Sequence, residues 1–153
     1  MSEIKYHLAQ LNITRMRAPL HDPIMKEFND FLDPVNKLAE ESPGFVWRYT
    51  EKEGEVLAVF EDTMIVANMS VWVDYPSLKA YTYDTVHNYF LKSRKKWFEK
   101  MDSHQVVLWW VETDHTPSLS EAKKRLDQLN QQGVSPSAFG LREMYHADGS
   151  PLH

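Results

Sequence analysis

Residues 106–111 read Val-Val-Leu-Trp-Trp-Val, apolar on both parities. A run this short between polar flanks is a strand, and apolar side chains on both parities mean that both of its faces are covered. A chain containing such a strand must have material packed on each side of a sheet.

The remaining pattern supplies the other pieces. Residues 4–14 alternate, with His7, Ala9, Leu11 and Ile13 on one parity and Tyr6, Leu8, Gln10 and Asn12 on the other, which is a strand. Asp22 before Pro23 is an N-cap with proline at the first helical position. Met25, Phe28, Leu32, Val35 and Ala39 then form one helical stripe as far as Ser42-Pro43-Gly44, and Pro34 is expected to kink or divide that helix. Strands are expected at 45–50, at 56–60 after the turn Lys52-Glu53-Gly54-Glu55, and at 67–73, where Tyr75-Pro76-Ser77 stops the last. From there to residue 101 the spacing is helical, with Val86, Phe90 and Trp97 on one stripe. A further helix follows Thr116-Pro117-Ser118, carries Leu119, Ala122, Leu126 and Leu129, and ends near Gly133. A short strand is expected at 139–145, and the tail 146–153, with Gly, Pro and two histidines, is expected to be loose.

Composition narrows the function classes. No cysteine among 153 residues excludes disulfides, thiolate catalysis and cysteine-ligated metals. A net charge of -5 offers little to nucleic acid or anionic lipid, and the basic cluster Lys92, Arg94, Lys95 and Lys96 reads as a solvated face. The polar start carries no secretory signal pattern, and the longest apolar run is far short of the ~20 residues that span a bilayer, so a cytoplasmic protein without membrane contact is expected.

The order strand, helix, strand, strand, helix, strand is that of a ferredoxin-like βαββαβ unit of the α+β class, in one domain spanning 1–153 with an appended helix and strand. In such a sheet both main helices cover one face. The other face is then expected to carry Tyr6, Leu8 and Trp72, and leaving them wet would cost roughly 1.5–3 kcal/mol each. A second copy of the chain is the expected cover, giving a homodimer with a closed barrel between the subunits.

Several stretches carry a resemblance: His7-Leu8-Ala9-Gln10-Leu11-Asn12, Ser42-Pro43-Gly44-Phe45-Val46-Trp47-Arg48, Asn68-Met69-Ser70-Val71-Trp72, the segment from His87 to Trp97-Phe98, and Val107-Leu108-Trp109-Trp110-Val111. Over most of its length the chain resembles a bacterial family known only as a domain of unknown function. That family in turn resembles the dimeric α+β barrel superfamily, which includes antibiotic-biosynthesis monooxygenases and small haem-degrading monooxygenases. The resemblance to the haem enzymes implies that His87 ligates haem iron, Trp72 presses on the porphyrin and Asn12 donates a hydrogen bond to iron-bound oxygen. The interval from Trp72 to His87 is longer here than in those enzymes.

The resemblance to the cofactor-free monooxygenases implies instead that His87 accepts a proton, Asn12 and Asn68 hold the oxygens of an aromatic substrate, and Trp72 with Tyr83 walls the pocket. Gln10, Ser70 and Arg94 complete the candidate substrate contacts. The cofactor is therefore none or haem, with no metal ligand other than His87. A dimer that binds a small molecule without transforming it is the alternative, favoured by the lack of a Gly-rich phosphate loop, nucleophile elbow or histidine-glutamate zinc motif. His21, His104 and His115 fall at element boundaries without helical metal spacing.

Overall fold

β1 (Tyr6–Met16) is the axis of the sheet. It pairs antiparallel with β3 (Ile65–Trp72) from Leu8↔Trp72 to Arg15↔Ile65 and, on its other side, with β5 (Val106–Glu112) from Tyr6↔Glu112 to Asn12↔Val106. Beyond Asn12 the short β4 (Phe98–Glu99) takes over that second side at Arg15 and Met16. β2 (Phe45–Arg48) pairs outside β3, so the sheet runs β2-β3-β1 with β5 and β4 sharing the far side of β1, all antiparallel. These strands come from a computed structural model that describes residues 5–84 and 94–152. The architecture is α+β with an open antiparallel sheet, and no barrel closes among the described residues.

The sheet has helices on both faces, which corrects the expectation of one bare face. α1 (Lys26–Glu41) and α3 (Tyr75–Tyr81) lie on the face of Leu8, Trp72 and Leu108: Ala39 and Leu78 join those residues in one apolar cluster. On the other face Ala9, Leu11, Ile13, Met69, Val71, Val107, Trp109 and Val111 pack against Leu119, Ala122, Leu126 and Leu129 of α5 (Leu119–Gln132) and Val56 of α2 (Glu55–Phe60). The face that parity reserved for a second copy is therefore the one beneath α1 and α3, and the helix read as an appendage covers the opposite one. The physical reason for the error is that β5 is apolar on both parities and β1 carries large apolar residues on both, so alternation does not say which parity meets which helix.

Local chemistry explains most boundaries. Asp22 accepts a hydrogen bond from the Ile24 amide at 3.0 Å and caps a 3-10 turn, Pro23–Met25, that feeds α1. Pro34 does not divide α1: it sits on the exposed side of one continuous helix of 16 residues, where a lost backbone bond is open to water. Gly44 reverses the chain between α1 and β2 with φ +83°, and a Cβ there would collide with Ser77. Residues 56–60, expected as a strand, are helical, because Val56, Val59 and Phe60 at helical spacing meet the cluster under α5. Asp74 caps α3 through the Ser77 amide at 2.9 Å. The expected helix to residue 101 ends earlier: α4 (Arg94–Trp97) gives way to β4. α5 begins with a capping bond from the Glu121 amide to Ser118 Oγ at 3.1 Å, while the Glu121 carboxylate accepts from Trp109 Nε1 at 3.1 Å and lies 2.6 Å from His115 Nε2.

The end of the chain also differs from expectation. Only Phe139 of the expected last strand bridges Leu108, by backbone bonds of 2.7 and 3.0 Å. β6 (Met144–Tyr145) pairs instead with β7 (Pro151–Leu152), so the tail folds back as a small hairpin. Trp110 Nε1 donates to the Tyr145 carbonyl at 2.7 Å and ties that hairpin to β5.

Candidate functional site

Along one face of β1 the side chains run Leu8, Gln10, Asn12, Thr14 and Met16, and the paired residues of β3 run Trp72, Ser70, Asn68 and Val66. Both strands are apolar at their ends and polar in the middle. At one end Leu8 and Trp72 belong to the cluster with Ala39, Leu78, Leu108, Phe139 and Met144. At the other, Met16 belongs with Met25, Phe28 and Trp97, and Val66 packs against them. The polar stretch between them, from Gln10 to Thr14, is about 14 Å long.

That stretch is a hydrogen-bonded chain without a formal charge. Trp72 Nε1 donates to Ser70 Oγ at 2.8 Å. Gln10 Nε2 donates to the same oxygen at 2.8 Å and to Asn68 Oδ1 at 2.9 Å. Gln10 and Ser70 are 8% and 5% exposed, whereas Asn12 and Asn68, opposite one another across β1 and β3, are open to solvent. The chain therefore leads from a buried indole to the exposed Asn68 amide, with Asn12 in register opposite it. Groups buried in an apolar sheet face cost free energy unless bonded, and here each finds a partner at short range.

Trp72 itself is core. It is 0% exposed, stacks on Tyr81 with ring centroids 5.0 Å apart, and meets Phe45 edge-on at 5.6 Å. Burial is the main cause pushing the Tyr81 hydroxyl up to about 12; nearby Arg48 acts the other way. That hydroxyl donates to the Val35 carbonyl at 3.1 Å. With no accessible ring face, Trp72 has nothing to lay against a porphyrin, and the described residues do not fit a haem site of the kind the resemblance implies.

The other candidate residues are dispersed. Tyr83 is half exposed beyond α3, and Arg94 is exposed at the start of α4; neither hydrogen-bonds to the array among the described residues. His87 lies outside the described residues. Arg48, which sequence reasoning passed over, stands in register with Ser70 but directs its guanidinium to Glu40 at 2.7 Å. Tyr81 was also missed, although its position three residues after Leu78 places both on one side of α3.

An open depression of about 660 Å³ lies away from the array, between the start of α1 and α4, lined by Ile24, Lys26, Glu27, Asp30, Lys96 and Trp97. Its Lys26 is already paired with Asp30 at 2.6 Å. Among the described residues no group of three or more His, Asp or Glu side chains is placed to hold a metal ion, and no helix is long and apolar enough to cross a membrane.

The fold has solved relatives. The chain is similar to NE2512, a protein of unknown function from Nitrosomonas europaea, at 12% identity and a TM-score of 0.50, over 76% of this chain and 97% of that one. It is similar to PA3566 from Pseudomonas aeruginosa at 10% identity and a TM-score of 0.50, over 72% of this chain and 97% of that one. At these identities the likeness is one of fold alone. No curated protein matches the chain. A family profile described as Domain of unknown function (DUF3291) matches residues 7–153, nearly the whole length, and the chain belongs to that family.

Proposed function

We propose that this protein binds a small, uncharged, polar molecule at the amide array of β1 and β3. One observation carries the reading: a neutral hydrogen-bonded chain, Trp72 to Ser70 to Gln10 to Asn68, interrupts an otherwise apolar sheet face and ends in an exposed amide. Small-molecule sites combine apolar surroundings with a few placed polar groups, and a buried apolar cluster flanks the array at each end. No member of the array is charged at neutral pH. An ionic ligand would lose hydration there without meeting a counter-charge, which disfavours it.

Binding rather than oxygenation is the activity proposed. The monooxygenase reading, with the ferredoxin-like dimeric barrel, rests on resemblance and needs a bare sheet face for a homodimer to close over. In this chain α5 and α2 lie on the face opposite α1, so the sheet does not require a second copy. The test is a titration followed by side-chain amide and indole resonances. A neutral polar ligand is expected to shift Gln10, Asn68 and the Trp72 indole, and Gln10→Leu is expected to abolish the response. Shifts confined to other surfaces would overturn the proposal. A Soret shift with added haem that vanishes in His87→Ala would restore the haem reading in its place.

A further inference from the structure

Resting on that binding reading, we infer that the ligand presents a ring cis-amide edge, a carbonyl beside an N–H, as in lactams, cyclic ureides and imides. What the array has left over once its internal bonds are made sets the pattern a ligand must match. Gln10 Nε2 is spent on Ser70 and Asn68, which leaves Gln10 Oε1 as an acceptor. Asn68 Oδ1 is occupied, which leaves its Nδ2 as a donor.

Neither leftover atom has a partner among the described residues. No buried side-chain nitrogen or oxygen there lacks one, so Gln10 Oε1, on a residue only 8% exposed, is not fully closed off from solvent. A buried side chain thus keeps one unmatched acceptor on an amide that is bonded to an exposed amide with a spare donor.

The pattern survives reversal of the amides, whose oxygen and nitrogen ends have the same shape. If both turned over together, Gln10 Oε1 would accept from Asn68 Nδ2 and from the Ser70 hydroxyl, while Ser70 Oγ still accepted from Trp72. The leftover pair would then be a Gln10 donor beside an Asn68 acceptor. In either arrangement the two bonded amides offer one leftover donor and one leftover acceptor. A ring amide matches both by turning over, because the ring holds its C=O and N–H on one edge. A peptide backbone does not match, since its trans amide directs the two groups to opposite sides.

The absence of charge in the array sharpens the class. A carboxylate ligand offers two acceptors and an amidine offers two donors, and each leaves one protein group unpaired, which is the costly outcome for a part-buried site. A ring amide leaves neither unpaired. The Ser70 hydroxyl, whose oxygen already accepts from both Gln10 and Trp72, has its proton left to donate and can meet a second carbonyl where the ligand is an imide or ureide.

The probes are δ-valerolactam beside N-methyl-δ-valerolactam and uracil beside 1,3-dimethyluracil, titrated into the full chain with the Gln10 and Asn68 side-chain amide resonances as readout. The lactam and uracil are expected to bind about tenfold or more tightly than the methylated forms, the factor that loss of one hydrogen bond in a desolvated site produces. Asn68→Asp, at an exposed position, still accepts from Gln10 but offers no N–H to the ligand carbonyl; it is expected to weaken lactam and uracil binding about tenfold or more while the remaining backbone resonances stay in place. Equal binding of the methylated and unmethylated probes would overturn the inference. So would a response of the array to other neutral molecules but to no ring amide, an outcome that leaves the binding proposal standing. No response of the array to any neutral molecule would overturn both.

Discussion

The two faces of this sheet share strands, length and helical cover, yet they are built differently. Under α5 and α2 the face is apolar from Val111 to Ile13, and Leu126, Ala122 and Leu129 close over it. Under α1 the face is apolar at both ends and polar between, where Gln10 and Ser70 are buried. Continuous burial is the cheapest way to stabilise a sheet, so a face that departs from it at four adjacent positions has a use for those groups beyond cohesion. The first face holds the fold together; the second presents chemistry on it.

The largest expected effect falls on the first face. Leu126→Ala is expected to lower unfolding free energy by about 2–5 kcal/mol in chemical denaturation, as buried leucines do when the gap they leave does not collapse. A loss below about 1 kcal/mol would mean that α5 does not lie on the sheet, and would reopen that face to a second copy. Sedimentation of the wild type belongs with this measurement, and a monomer is expected.

On the second face the corresponding variant is Ser70→Ala. It removes only one oxygen, but it leaves the buried Trp72 N–H without an acceptor, and the expected cost is about 1–3 kcal/mol. In a Trp72→Phe background the same change is expected to cost less, because no indole N–H remains to be orphaned. A double-mutant cycle with a coupling near zero would show that the array is not a bonded unit.

How much of this was legible in the sequence depends on whether the signal was local. The stripe Leu119, Ala122, Leu126 and Leu129 marks α5 unaided, because helical spacing needs no partner to be read. Where α5 packs was not legible, since it depends on which face of the sheet meets it, and β5 is apolar on both parities while β1 carries large apolar residues on both. Residues 56–60 misled for a related reason: five apolar residues in a row carry no period, and only the contact of Val56 with the α5 cluster selects helix. Gln10, Asn12, Asn68 and Ser70 stood out as polar residues on apolar strands, but their grouping follows from the β1–β3 register, a pairing between segments some sixty residues apart. Trp72 was visible as a large aromatic of the same parity. Its stacking on Tyr81, which makes it core rather than pocket wall, is a tertiary fact with no local sign.

Each face also carries one tyrosine whose hydroxyl is pushed up from 10.0 to about 12, and the causes differ. For Tyr81, on the array face, burial is the main cause and nearby Arg48 opposes it. For Tyr49, which packs against the α5 side, burial is again first, with further support from the Glu55 carboxylate 2.6 Å away. A folded-state value above the unfolded one contributes stability that is complete below about pH 10 and is lost as pH rises toward about 12. Tyr81→Phe is expected to flatten the alkaline fall in stability by removing its titration. Glu55→Gln is expected to flatten it less, since the burial of Tyr49 remains. Equal slopes in wild type and Tyr81→Phe would show that Tyr81 ionises in the folded protein as freely as in the unfolded one.

The smallest effect on stability is expected where the second face meets charge. Arg48 faces the array from β2, in register with Ser70, and is held aside by Glu40 of α1 at 2.7 Å. Both side chains are partly exposed, so Glu40→Gln is expected to cost less than about 1 kcal/mol, with a dependence on salt. Its effect on selectivity should be larger than its effect on folding. An unpaired guanidinium beside Ser70 would supply the counter-charge that the array lacks, so the variant is expected to admit anionic analogues of the neutral probes, which the wild type refuses. If the variant stays indifferent to anions, Arg48 is too far from the bound ligand to matter, and the neutrality of the site is set by Gln10, Asn68 and Ser70 alone.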